Sequence, residues 1–554
     1  MARIASVRAR KKMNQAAPER DRSSSDIPAA NFVSKPGRIS AGAGLSWIVA
    51  VAVIVIAVGL RVHQLGEVNY WFDETFSMRM SEFPIPEMVQ RCAADTHPPL
   101  FFLGLKPWIT AFGTSTLAVR AFSLLWSVAT VIAASCFVLE ALEPIDLAAS
   151  HRGRGLFAAA LSGILLALSP LQLTWAHQVR MYSMAGFFAV LCTWFLWRAL
   201  AKPQARLRWW MLGIAEICGV YTHVTMIFVV ALHCALLGIV AILPILNGCQ
   251  DVRRQLRSRA IMTCICIAAA AVPWFIVVRS QHARVKADFW SEPFEWSILG
   301  DAILRCLGNP EGTQPDPSVG YWIGQGIVVV LLLVAAGRKR FDVLLSLTAA
   351  APFAGVILIS LFSRNILNAR YFISGQTLLL VAVAVLISRL PSRWLRIPVA
   401  VIVVGGQLFL VQSYFDWRTE AASKPGIPGL LQTWKDHRTE NEPLVFCNPM
   451  FYTTSRVYQG NSDDFMVFGD GSSHPFFVGT AIMSDDEYVS ADDLDSSGLQ
   501  TVWTCDFGWS SRFLQPVPMS HAWKLATEKN VLEFNGSFFL RRYDRITPPS
   551  GSQE

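Results

Sequence analysis

Leu45–Leu65, LSWIVAVAVIVIAVGLRVHQL, is an apolar run that leads within five residues into Tyr70-Trp71-Phe72-Asp73-Glu74. A run of that length crosses a bilayer at ~20 residues per span, so two adjacent carboxylates emerge just past a membrane helix. A second cluster, Asp95-Thr96-His97-Pro98-Pro99-Leu100, follows before the next apolar run begins. The residue before a proline is pushed toward extended backbone, so His97 and Pro98 form a stiff, non-helical corner beside Asp95. Ionisable groups are therefore gathered where one membrane face meets water.

The rest of the chain supplies a frame for that loop. With 554 residues, 53% of them hydrophobic and 16% charged, it is too apolar for a soluble protein and too long for one domain. Further apolar runs at about 116–140, 155–176, 181–200, 208–223, 226–246, 258–278, 321–337, 342–362, 371–389 and 395–413 bring the expected spans to about eleven. The reading is a multi-pass α-helical membrane protein. Residues 1–44 hold the basic tail, expected to be disordered and cytoplasmic; 45–413 hold the membrane domain; 414–554 have the short apolar runs and Gly/Asp/Ser clusters of a soluble α/β domain.

Charge sets the orientation. The net of +8 combines +6 in residues 1–40 with −8 from Asp416 to the end, so the basic balance lies in the tail and in short loops. No aromatic patch interleaves with it, which excludes a nucleic-acid partner. With the N-terminus inside, five loops fall on the cytoplasmic side, around Arg152 and Arg154, Lys202 to Arg208, Arg253 to Arg259, Arg338 to Arg340, and Arg389 to Arg396. All five are basic, as the positive-inside rule requires. The loops at 66–115 and 279–320 and the C-terminal domain then face outward, with Trp290, Trp296 and Trp322 as an interfacial belt.

On this topology Lys106, Arg120, Arg180 and Arg370 sit at outer helix ends, the side on which the rule disfavours cations. Arg180-Met181-Tyr182 and Arg370-Tyr371 repeat one arrangement, and His97, His177 and His223 lie at similar depth. A ring of cations and imidazoles around an acidic loop suits a phosphate-bearing ligand, because guanidinium forks grip phosphate oxygens and tyrosine hydroxyls add neutral donors. Asp73 and Glu74 read as proton acceptors at the membrane boundary. The eleven cysteines form no ligand-spaced pairs; Cys447 and Cys505 of the soluble domain are candidates for a disulfide if it faces an oxidising compartment. Nucleotide-binding motifs are missing, so an activated group would arrive on a lipid phosphate.

Together, Trp71-Phe72-Asp73-Glu74, Asp95-Thr96-His97-Pro98-Pro99-Leu100, Phe112-Gly113 with Arg120-Ala121-Phe122-Ser123, Arg180-Met181-Tyr182 and Arg370-Tyr371 resemble the GT-C superfamily of polytopic glycosyltransferases. The likeness is strongest to the branch of the protein O-mannosyltransferases and the lipid A aminoarabinose transferases, and it covers about residues 45 to 390. It implies an inverting hexosyl or pentosyl transfer from a polyprenyl-phosphate sugar to a glycan, lipid or protein acceptor on the outer, periplasmic face of a bacterial inner membrane. Carried over, Asp73 resembles the catalytic base, with Glu74 assisting it or holding a divalent metal with it. His97 joins the catalytic set. Asp95, Lys106, Arg120, Arg180, Tyr182, His223, Arg370 and Tyr371 form the substrate-binding set. Some members use a divalent metal and others do not, and the resemblance leaves that open. The rival classes are a transporter or flippase for lipid-linked sugars and a ligase of lipid-linked glycans.

Overall fold

The computed structural model describes residues 41–142, 149–243, 250–287, 291–308, 316–337, 339–460, 463–508, 514–534 and 536–546. The expected disordered tail, up to residue 40, and Trp290 lie outside the described residues.

Among the described residues each apolar run read from the sequence is built mainly of helix, with the run at 155–176 broken in two. Helix α1 spans Ala41–Val62, and three helices then fill the polar loop: α2 Phe72–Glu82, α3 Ile85–Ala94 and α4 Leu100–Phe112. The break between α3 and α4 falls at the Pro98-Pro99 corner. There follow α5 Thr116–Leu142, α6 Ala149–Ala167, α7 Pro170–Ala176, α8 Tyr182–Ala201, α9 Arg206–Thr222, α10 Met226–Ile242, α11 Gln250–Ala287, α12 Trp296–Leu307, α13 Pro317–Ala335, α14 Arg340–Phe362, α15 Ile373–Ser388 and α16 Arg393–Ala422. Among the described residues seven helices are long and apolar enough to cross a membrane, or eight if the bent pair α6–α7 is one span. Eight is three fewer than the eleven expected: α9 and α10 have only 17 residues each, and the apolar part of α1 covers only Ser46–Val62. The molecule is an integral membrane protein.

Burial around each helix gives its place. Helix α15 is enclosed on nearly all sides, whereas α11, α13 and α16 leave most of their apolar surface uncovered, as lipid-facing helices do. Trp296 and Trp322 are both well exposed. The 59° bend between α6 and α7 follows from Pro170 at the first position of α7, with Ser169 capping it by accepting from the Gln172 amide. A break frees carbonyls of the preceding turn. The buried Arg61 guanidinium satisfies two of them, donating to Leu166 O at 3.1 Å and Ala167 O at 3.2 Å, and reaches Ser127 Oγ at 2.8 Å. His177 belongs to the same architecture, between Tyr414 Oη at 2.8 Å and Arg61 O at 2.9 Å.

The C-terminal sheet domain begins with α17 Gly426–His437 and contains α18 Pro449–Gln459 and α19 Ala491–Ser496. Its six strands are β1 Leu444–Phe446, β2 Phe465–Phe468, β3 Tyr488–Val489, β4 Thr501–Phe507, β5 Trp523–Glu533 and β6 Gly536–Arg545, in the order β3-β2-β1-β4-β6-β5. β3, β2, β1 and β4 run parallel, and β6 and β5 add an antiparallel edge. Side chains alternate between faces along a strand. Leu444, Phe446, Trp503 and Cys505 thus enter the core on one face, Val445, Cys447 and Val502 the core on the other. Cys447 and Cys505, the candidate pair, are both free thiols in separate cores.

This domain docks on α2. Tyr458 Oη accepts the Tyr70 amide at 2.7 Å, Thr454 Oγ1 meets Thr75 Oγ1 at 3.2 Å, and Glu487 pairs with Arg79 at 3.3 Å. Arg91 of α3 donates to Ala481 O and Met483 O at 2.9 and 3.0 Å. The helix that carries Asp73 is thereby fixed from two sides, by the membrane bundle and by the sheet domain.

Candidate active site

Helix α2 starts immediately before the acidic pair, so Asp73 and Glu74 are consecutive helical residues whose side chains diverge by about 100°. They serve different purposes. Glu74 turns into the protein and is 1% exposed. Its Oε1 accepts from Arg120 Nε at 2.8 Å and the Val179 amide at 3.2 Å; its Oε2 accepts from Arg120 Nη2 at 2.9 Å and the Trp71 amide at 3.1 Å. Four donors fill the acceptor sites of one carboxylate. Arg120 also donates to Leu65 O at 2.8 Å and Val68 O at 3.0 Å, so the pair sews the exit of α1 to the start of α2. Neither residue is left for a ligand.

The Asp73–Glu74 metal pairing is therefore not formed. Glu74 has no acceptor site to share with Asp73, and among the described residues no group of three or more His, Cys, Asp or Glu is arranged to hold an ion. These residues do not fit a metal. Lys106 is also drawn elsewhere: its Nζ caps the end of α2 at Ser81 O, Glu82 O and Phe83 O, 3.0 to 3.3 Å away.

Asp73 faces a cluster of cations. Its Oδ2 lies 3.2 Å from Arg370 Nη1 and 3.7 Å from Arg180 Nε. Arg180 Nη1 donates to Asp73 O at 3.2 Å and to Ser77 Oγ at 3.4 Å, one turn further along α2. Arg180 Nη2 lies 2.8 Å from His97 Nε2, and His97 Nδ1 lies 2.5 Å from Asp95 Oδ2. Guanidinium can only donate, so His97 Nε2 accepts and the ring proton sits on Nδ1, facing Asp95. Asp95 thus sets the tautomer, His97 holds Arg180, and Arg180 holds Asp73.

The electrostatics follow from this packing. Burial pushes the Asp73 carboxyl up, but Arg180 and then Arg370 outweigh it, and its pKa falls below the ordinary carboxylate value. Burial likewise opposes ionisation of Asp95, and the His97 ring N–H, the Thr96 amide and Arg180 reverse it, again to a lowered pKa. Both are carboxylates at neutral pH. Arg180 Nε, buried and 3.7 Å from Asp73, has no hydrogen-bond partner among the described residues.

Beyond the charges lies an aromatic layer. Arg370 stacks 5.3 Å from the centre of Tyr371, which stacks on His223 at 5.7 Å; Tyr182 lies 5.1 Å from His223 and 4.2 Å from Trp175. The structure thus brings together Asp73, Asp95, His97, Arg180 and Arg370, with Tyr182, His223 and Tyr371 beside them. Glu74, Lys106 and Arg120 stand apart in structural roles. Ser77 was missed, although its place four residues after Asp73 on one helix face marked it. Arg61 and Tyr458 left no such mark, since both act through contacts distant in sequence.

Glu74→Gln is expected to leave Arg120 as an uncompensated buried cation and to cost about 3–5 kcal/mol of stability. A large drop in thermal midpoint of the detergent-purified variant would show it, partly recovered in E74Q/R120Q. An unchanged midpoint with lost turnover would instead place Glu74 in the chemistry.

No protein-family model and no curated protein sequence matches the chain. Solved structures do: ArnT from Cupriavidus metallidurans in the apo state is similar over 90% of this chain and 98% of that one, with a TM-score of 0.58 and 12% identity. The same protein bound to undecaprenyl phosphate is similar over 92% and 99%, with a TM-score of 0.56 and 12% identity. At that identity the likeness establishes the fold alone, a helical membrane bundle with a C-terminal sheet domain.

Proposed function

We propose that the protein is a glycosyltransferase that moves a hexosyl or pentosyl group from a polyprenyl-phosphate carrier to an acceptor hydroxyl, with inversion. The site faces the periplasm of a bacterial inner membrane, with the N-terminus cytoplasmic and the C-terminal domain outside, as the basic loops direct. One observation carries the reading: a carboxylate at the start of α2 meets two guanidinium groups from positions 107 and 297 residues away, beside a bundle open to lipid. That the similar ArnT fold was solved with undecaprenyl phosphate supports the donor class.

In the reaction the acceptor O–H gives its proton to Asp73 as its oxygen bonds to the anomeric carbon. The bond from that carbon to the phosphate oxygen breaks on the opposite face, and the lipid phosphate leaves with the electron pair onto Arg180 and Arg370. Preorganised cations at a developing anion are commonly the largest catalytic term. His97 and Asp95 position Arg180.

The free enzyme holds Asp73 in a state of low basicity, because both arginines stabilise its charge. An arriving phosphate shares those cations and so raises the basicity of Asp73 when the acceptor needs it. This fixes the pH behaviour. A carboxylate with a lowered folded pKa contributes stability above the unfolded value of about 3.9, lost as pH falls through the folded pKa. The acid limb of kcat/KM assigned to Asp73 is expected below pH ~4, and the limb of kcat, with donor bound, at higher pH. Coincident limbs in the two profiles would contradict the switch.

The direct test supplies purified protein with radiolabelled undecaprenyl-phosphate sugars and membrane acceptors. Transfer of label with release of undecaprenyl phosphate is the expected result. Movement of intact donor across a vesicle wall without release would mark a flippase instead.

A further inference from the structure

We infer that Tyr182, His223 and Tyr371 form a neutral subsite for the sugar of the donor, separate from the arginines that take its phosphate; this rests on the transferase reading. The tautomer of His223 is the starting point. The Thr225 amide donates to His223 Nδ1 at 3.3 Å, and Thr225 Oγ1 lies 2.8 Å from the same atom. Nδ1 is therefore an acceptor, and in the neutral ring the proton sits on Nε2. That N–H has no acceptor among the described residues, and neither has the Tyr182 hydroxyl a partner there. Both residues are only 1% exposed.

Neither atom is sealed off from its surroundings, so two unpartnered donors side by side in one layer call for an explanation. A ligand rich in hydroxyls supplies it. The Tyr182 hydroxyl can donate and accept, and His223 Nε2–H donates, as the hydroxyls of a sugar require. A phosphate suits the layer less well, since neither hydroxyl nor neutral imidazole brings a charge to meet it. The place is right as well: Arg370 touches Asp73 at 3.2 Å on one side and stacks on Tyr371 at 5.3 Å on the other. A sugar one bond from a phosphate held by Arg370 reaches this layer.

The test compares Tyr182→Phe, His223→Ala and His223→Gln with wild type. It uses undecaprenyl phosphate without sugar and undecaprenyl phosphate-linked mannose, glucose, galactose and arabinose. Binding is read directly in nanodiscs, so the outcome does not depend on turnover. Expected is weakening of the best sugar-bearing ligand by about tenfold in Y182F and H223A, with partial recovery in H223Q, which restores an N–H donor. Binding of bare undecaprenyl phosphate stays within about twofold, which a merely structural role would not spare. Equal weakening of bare and sugar-bearing lipid would make the layer a phosphate site and overturn the proposal. So would unchanged binding of both. Failure of the parent reading looks different: wild type would then bind sugar-bearing lipid without ever transferring its sugar.

Discussion

Asp73→Asn is expected to abolish sugar transfer while leaving the protein folded and inserted. A positioned base contributes ~10²–10⁴-fold, and asparagine occupies the same volume without accepting a proton. The fold should survive because Asp73 is not the clamp of α2. That task falls to its neighbour: Glu74 holds Arg120 at 2.8 Å inside the protein, while Asp73 stays partly open and meets its arginines at 3.2 and 3.7 Å. The readout is turnover beside the thermal midpoint. Near-normal turnover in D73N would remove the base assignment, and a collapsed midpoint would make Asp73 structural.

Arg370→Ala is expected to lower kcat by ~10²–10³-fold, the usual cost of deleting one preorganised donor at a developing anion. Arg370→Lys should restore little of it, since an ammonium cannot reproduce a planar fork. Arg180→Ala should lose as much activity and some stability besides, because Arg180 also binds Asp73 O, Ser77 Oγ and His97 Nε2. The two variants thus divide by thermal midpoint, with R370A the cleaner report on chemistry. An R370A enzyme with unaltered kcat would detach this arginine from the leaving group.

Much of this was legible in the sequence for definable reasons. Apolar runs impose helices wherever backbone groups leave water, so the described part of each expected span is mainly helix, although fewer of them are long enough to cross a membrane. Arg180 and Arg370 were found because a cation at the disfavoured membrane face needs a partner. Asp73 and Glu74 read as a pair as long as their stretch reads as loop. Once Phe72 begins a helix, adjacent side chains part, and Asp73 goes to Arg180 and Arg370 while Glu74 goes to Arg120. Lys106 was misread for a related reason. Depth alone does not say which way a side chain turns, and the carbonyls ending α2 claimed it. Arg61 lay inside an apolar run, where a lone arginine reads as snorkelling, and only the bend at Pro170 explains its burial. The grip of Tyr458 on the Tyr70 amide joins residues 388 positions apart, and nothing local in either stretch announces it.

The central claim is that Arg180 and Arg370 hold Asp73 until a lipid phosphate takes its place among them. Direct binding of undecaprenyl phosphate to wild type, D73N and R370A in nanodiscs tests it most plainly. D73N should bind at least as tightly as wild type, since the competing anion is gone, while R370A should bind about tenfold or more weakly. Loss of binding in D73N equal to that in R370A, or binding in R370A indistinguishable from wild type, would contradict it.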